Sequence, residues 1–188
     1  MRADLGEIDL YCANAGIARL GGPEADEADW ADSWQVNVMA HVRAVRLLID
    51  RWLERGNGHL ICTVSAAGLL ATPGSAPYSV TKHAALAFAE WLSLTHRHRG
   101  LTVQAICPMG VRTGMFDGSD PLMEKLLGAS AIMPDDVADA VMEAIADGRF
   151  LILPHPEVAE MYSGRAAEPD RWLHGMNKVQ QHLEDGPA

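Results

Sequence analysis

The chain has 188 residues, 48% of them apolar and 21% charged, which is enough for one domain with a substantial core and ordinary for a soluble globular protein. Its formal net charge of −10 and pI near 5.1 give no electrostatic footprint for nucleic acid or an anionic membrane. The opening MRADLGEIDL lacks a basic segment followed by an apolar core, and Pro73, Gly74 and Pro77 interrupt the longest uncharged stretch, 60–81. Neither a signal peptide nor a membrane span is read, and the cytoplasm is the expected compartment.

In chain order, IDLYCA (8–13) is a short apolar run ending at the turn signal NAG. Residues 26–55 place Trp30, Trp34, Val38, Val42, Val45, Ile49 and Trp52 at intervals of three and four, the spacing of an amphipathic helix. Asp26, Glu27, Asp29 and Asp32 at its start and Arg43, Arg46, Arg51 and Arg55 toward its end suit the helix dipole, and Gly56 suits a C-cap. HLICTVS (59–65) reads as a strand, 77–97 as a helix and TVQAICP (102–108) as a strand. PDDVADAVMEAIADG (134–148) opens with a cap signal and runs as a helix, and FLILP (150–154) is a further strand. Helices alternate with β-branched, non-alternating strands, which predicts a parallel sheet covered on both faces. The tail from His155 carries a weak helical pattern around Trp172, Met176 and Val179 and frays into EDGPA.

Cys12, Cys62 and Cys107 form no CxxC and sit in strand-like runs, so buried thiols are expected rather than disulfides. The histidines form no HExxH, and His96 and His98 do not share a helix face; no metal site is read.

Tyr78 and Lys82 lie four apart at the start of a helix, about 5–6 Å between Cβ atoms. A nearby ammonium favours tyrosinate, so the pair could exchange a proton with a substrate; equally, it could be two polar residues on a partly exposed face. The surroundings add weight to the first reading. Ser65 ends a strand thirteen residues before Tyr78, and NAG (14–16) and PMGVRT (108–113) also follow strands. In open α/β sheets ligands bind beyond the carboxyl ends of the strands. Asn37, a poor helix former, sits in mid-helix.

Together these residues resemble the short-chain dehydrogenase/reductase family. The motifs are Asn14-Ala15-Gly16, Asn37, Ser65, Tyr78 with Lys82, and Pro108 with Val111 and Thr113, over about residues 5 to 154. The resemblance implies the C-terminal portion of a Rossmann-like doubly wound parallel α/β sheet, carrying the fourth to seventh strands of the family fold. It implies an NAD(P)-dependent oxidoreductase that interconverts an alcohol and a carbonyl. Tyr78 would be the general acid or base, and Lys82 would lower its pKa and bind the nicotinamide ribose. Ser65 would orient the carbonyl, and Asn37 would hold a water linking Lys82 to solvent. Asn14, Ala15 and Gly16 would lie against the adenosine side of NAD or NADP, and Pro108, Val111 and Thr113 against the nicotinamide. A small-molecule alcohol or carbonyl substrate and a homo-oligomer built on the helices at 26–55 and 77–97 follow by the same resemblance, with no nucleic-acid or membrane partner. Two departures are Met109, where a glycine is usual, and Ala13, where many members have a second asparagine.

The resemblance also implies an N-terminally truncated member, without the first βαβαβ part and its glycine-rich pyrophosphate turn, on the order of 80 residues. The strand at 8–13 would then expose an edge. The catalytic unit would be 1–154 and the C-terminal extension 155–188. The alternative is a catalytically silent fragment or interaction subunit. Ser65 lacks the glycines of a G-x-S-x-G elbow, which argues against a serine hydrolase. Gly110, Gly114 and Gly118 read as loop flexibility rather than a phosphate cradle, and Met115, Phe116 and Leu122 as an apolar substrate lip or a packed lid. The Trp30, Trp34 and Trp52 stripe reads as core or subunit interface.

Overall fold

The computed structural model describes residues 6–117 and 121–184. Four strands, β1 (Leu10–Ala13), β2 (Gly58–Thr63), β3 (Leu101–Ile106) and β4 (Leu151–Ile152), form one sheet in the order β1-β2-β3-β4. Every pairing is parallel, and the register sets Cys12 beside Ile61 and Cys62 beside Ala105. Parallel neighbours need crossovers, and the sequence supplies helices for them. The first crossover is α1 (Glu27–Trp34), a π-helical turn (Gln35–Met39) and α2 (Ala40–Arg55), following one another as the expected long helix. Gly56 caps it in the left-handed conformation, φ 65°. The second holds α3 (Ala67–Leu70) and α4 (Ala76–His96); the third holds α5 (Gly114–Asp117), α6 (Pro121–Leu127) and α7 (Pro134–Asp147). The tail forms α8 (Glu157–Ala167) and α9 (Pro169–Glu184), more regular than its weak pattern predicts. Gly118 and the EDGPA fray from residue 185 lie outside the described residues, as does the side chain of Leu122.

Both faces of the central strands are covered, which is why they read as continuous apolar runs. Leu60, Cys62, Leu101, Val103 and Ala105 face α2 and α4, packing with Val45, Leu48, Trp52, Leu86, Ala89 and Leu92. Ile61, Ile106 and Ile152 turn the other way onto Ala144 and its neighbours on α7. Gln104 is fully buried on that second face because all its polar atoms are used: Nε2 donates to Ala144 O (2.6 Å) and Arg149 O (2.8 Å), and Oε1 meets His59. Trp52 is buried, and its Nε1 donates to Ile8 O at 2.8 Å, tying α2 to the entry of β1; Trp34 is 43% exposed. One expectation is corrected. Cys62 and Cys107 are buried, but Cys12 is exposed, because no described element covers the face of β1 that carries it and Leu10. Among the described residues no helix is long and apolar enough to cross a membrane.

Candidate active site

The segments that follow the carboxyl ends of β1, β2 and β3 meet at the start of α4, which carries Tyr78 and Lys82. Pro77 presets the first turn of that helix, so Tyr78 falls where the chain has just left the loop that follows Ser65. Ser65 stands two residues past β2, with its hydroxyl donating to Pro108 O (3.5 Å) and accepting from Ala67 N–H (3.1 Å). It also lies close enough to the Tyr78 phenol to favour its ionised form. Lys82 Nζ lies 5.6 Å from the centre of the Tyr78 ring and donates to Thr63 O at 2.9 Å.

The loop after β1 packs against the same residues. A Cβ on Gly16 would stand 3.3 Å from Lys82 Nζ and 3.4 Å from Asn37 Oδ1, so glycine lets the backbone lie flat against both. Asn37 is fully buried in the π-helical turn, a feature often found at functional sites. Its Oδ1 accepts from Ile17 N–H (2.9 Å), and its Nδ2 donates to Ile17 O (2.9 Å) and Thr81 Oγ1 (3.0 Å). The carboxamide thus binds the NAG loop as a neighbouring strand would, which explains a mid-helix asparagine. Asn14 accepts from Thr63 Oγ1 at 2.8 Å, while Thr63 O receives Lys82. Asn14 and Ala15 are exposed. Val111 and Thr113 sit farther along the loop after β3. Val111 bridges to Ile132 and Thr113 O accepts from Phe116 N–H, which ties this loop to the segment that follows it. Met115 is 49% exposed and Phe116 stacks under the Arg112 guanidinium at 5.1 Å.

The electrostatics correct one expectation. Burial, the largest influence, raises the Tyr78 phenol above its ordinary value despite the nearby Ser65 hydroxyl. The expected lowering by Lys82 does not prevail: its ammonium hydrogen-bonds to Thr63 O and lies 5.6 Å from the centre of the Tyr78 ring. Burial lowers Lys82 itself to about 8. It also pushes Cys62 and Cys107 up to about 12, so neither thiol is a nucleophile at neutral pH.

The sequence reading passed over two histidines here, His41 and His155. His41 lies one turn beyond Asn37 on the same buried face, 2% exposed, and neither ring nitrogen has a partner among the described residues. Burial, with a smaller contribution from the Lys82 charge, lowers it to about 4. The unfolded chain therefore binds this proton near pH 6.5 and the folded chain only near 4. Stability from this group is complete above about 6.5 and declines as pH falls to about 4, by about 3 kcal/mol in all. His41→Leu should remove that part of the acid slope and raise stability at pH 5, read by urea unfolding at pH 7 and 5. Equal slopes in both proteins would reject the assignment.

The profile of the family described as short chain dehydrogenase matches residues 1–122. A 1-deoxy-11-beta-hydroxypentalenate dehydrogenase of Streptomyces exfoliatus is 36% identical over 157 residues, covering 81% of this chain and 57% of the relative. Epidermal retinol dehydrogenase 2 of Homo sapiens is 29% identical over 160 residues, covering 82% of this chain and 51% of the relative. The chain thus spans about half the length of the curated relatives it matches. The crystal structure of a short chain dehydrogenase/reductase from Burkholderia phymatum in complex with NAD superposes with a TM-score of 0.81 at 27% identity, over 90% of this chain and 69% of that one.

Proposed function

This chain belongs to the short-chain dehydrogenase family, and on that premise we propose that it is an NAD(P)-dependent oxidoreductase interconverting an alcohol and a carbonyl at Tyr78. The observation that carries the reading is the nearness of Ser65, Tyr78 and Lys82 to one another just past the carboxyl edge of the sheet. Tyr78, held protonated at neutral pH by burial, gives its proton to the carbonyl oxygen in reduction and receives it from the alcohol in oxidation. Ser65 would turn its single hydroxyl proton from Pro108 O to the same oxygen and hold it in line.

The residues fit a nicotinamide cofactor, NAD or NADP. Lys82 has three N–H donors, one of them on Thr63 O, and faces a glycine backbone with no Cβ to block approach. Lys82 would bind the ribose, Asn14, Ala15 and Gly16 the adenosine side, and Pro108, Val111 and Thr113 the nicotinamide. When bound, the cofactor supplies or takes the hydride. Asn37 fixes Ile17 and hence this loop, and is proposed to hold a water between Lys82 and solvent.

The named substrates of the two relatives above, 1-deoxy-11-beta-hydroxypentalenate and retinol, favour an alcohol or ketone on a largely apolar skeleton. Residues 1–154 would form the catalytic unit, with 155–188 an extension packed on it, in the cytoplasm. Exposed Trp34, Trp91 and Leu94 on α1 and α4 favour a homo-oligomer through those helices. Titrating the full chain into NADH and NADPH while following cofactor fluorescence, then adding apolar ketones, tests the reading. Saturable binding followed by oxidation of the cofactor is expected. Failure to bind either one would favour a catalytically silent interaction module.

A further inference from the structure

His155 follows β4 by three residues, is 2% exposed, and belongs to none of the motifs above. Its Nδ1 accepts from Met109 N–H at 3.1 Å, and its Nε2 lies 3.1 Å from Ser130 O. A backbone N–H can only donate and a carbonyl can only accept, so the ring carries its proton on Nε2 and its lone pair on Nδ1. Met109 N–H and Pro108 C=O belong to one peptide group. Its oxygen accepts from Ala66 N–H (2.8 Å) and from Ser65 Oγ (3.5 Å). That planar group is therefore gripped at both ends, by His155 on one side and by the Ser65–Ala66 turn on the other.

The same ring reaches Ser130, just before the stretch in which Ile132 N–H donates to Gly110 O (3.1 Å) and Arg112 N–H to Ile132 O (2.9 Å). His155 is thus the buried point where the start of the 108–113 loop, the segment leading into α7 and the exit of β4 are fastened together. We propose that His155 is a positioning residue that locks the Pro108–Met109 peptide, and through the bond from Ala66 N–H to its carbonyl holds the Ser65–Ala66 turn, and with it the Ser65 oxygen, in place beside the substrate. The assignment rests on the catalytic reading above for its consequence, though not for its geometry. If the ring is lost, Met109 N–H is left buried without an acceptor, and the peptide gains a reason to rotate. Rotation would withdraw the carbonyl from Ser65 and Ala66 together.

Three variants separate this from a mere packing role. His155→Asn keeps an oxygen near the Nδ1 position, able to accept from Met109. His155→Gln carries its amide farther out, toward Ser130, and abandons Met109. His155→Phe keeps the ring shape with no polar atom. Site-resolved amide hydrogen exchange on the full chain reads Met109 and Ala66 directly, with Leu60 in the core as control. In the Gln and Phe variants both amides should exchange roughly ten- to hundredfold faster, the loss of one buried hydrogen bond, while Leu60 stays unchanged and the Asn variant stays close to wild type. With a ketone substrate, kcat should fall in the same order while KM for the substrate changes less. Unchanged Met109 exchange in the Phe variant, or acceleration of Leu60 in step with Met109, would overturn the proposal. If the wild-type chain transfers no hydride at all, the catalytic reading fails separately, and the exchange pattern still decides what His155 holds.

Discussion

Tyr78→Phe should lower turnover by about 10²- to 10⁴-fold, the range general acid–base catalysis supplies, while cofactor binding and the fold change little. The substitution removes one hydroxyl and keeps the ring against which Lys82 Nζ rests, 5.6 Å from its centre. Its structural cost is small, on the order of 1 kcal/mol for one hydroxyl. Single-turnover hydride transfer, followed by cofactor absorbance, gives the rate; a fluorescence titration gives the affinity. Turnover within threefold of wild type would remove Tyr78 from the proton path. The pH profile carries a second check. Because burial holds the phenol above its ordinary value, the proton donor is present through neutral and mildly alkaline pH. Reduction should therefore be flat across that range and decline only at high pH, whereas oxidation, which needs the phenolate, should climb as pH rises. The reverse ordering would mean that another group donates the proton.

The layout of this centre could be read from the chain because each part is marked locally. Apolar runs announce the strands, NAG and the Ser65–Tyr78 interval fall just beyond strand ends, and Pro77 announces the helix. What could not be read depends on contacts distant in sequence. Asn37 stands out as a poor helix former, but its partner Ile17 is 20 residues away across a crossover. His155 meets Met109 over 46 residues and offers only one hint, a polar residue just past a strand on the carboxyl edge. His41 could have been suspected from its place one turn after Asn37, yet its isolation from hydrogen-bond partners is a property of packing. The direction of the Tyr78 shift went wrong for the same reason. Spacing shows that Lys82 is near, but not that its ammonium bonds to Thr63 O, nor how strongly the phenol is desolvated. The short α3 and the α5 and α6 turns went unread because they are too brief to display a period.

Lys82→Met supplies the converse of the first experiment: turnover should collapse while the fold becomes more stable. The ammonium is 3% exposed and burial lowers it to about 8, against 10.5 in the open chain. Above about 10.5 the group is neutral in both states and costs nothing. Between 10.5 and 8 the unfolded chain binds a proton that the folded chain does not, so stability falls as pH falls. Below 8 the deficit stays near its full value, about 3 kcal/mol. Methionine has a similar length and no charge to desolvate. Against the gain stands the bond to Thr63 O, about 1.5 kcal/mol for a charged donor, leaving roughly 1–2 kcal/mol of net stabilisation at pH 7. For a chain of this size that is a rise in Tm of about 2–8 °C. The advantage should shrink and then reverse as the buffer approaches pH 10.5, where only the lost hydrogen bond remains. Thermal unfolding at pH 7, 9 and 10.5 measures it, and a variant less stable than wild type at pH 7 with no pH trend would refute the desolvation argument. A buried cation that weakens the fold at working pH, beside a tyrosine whose proton is the chemistry, is what a site kept for activity rather than stability should contain.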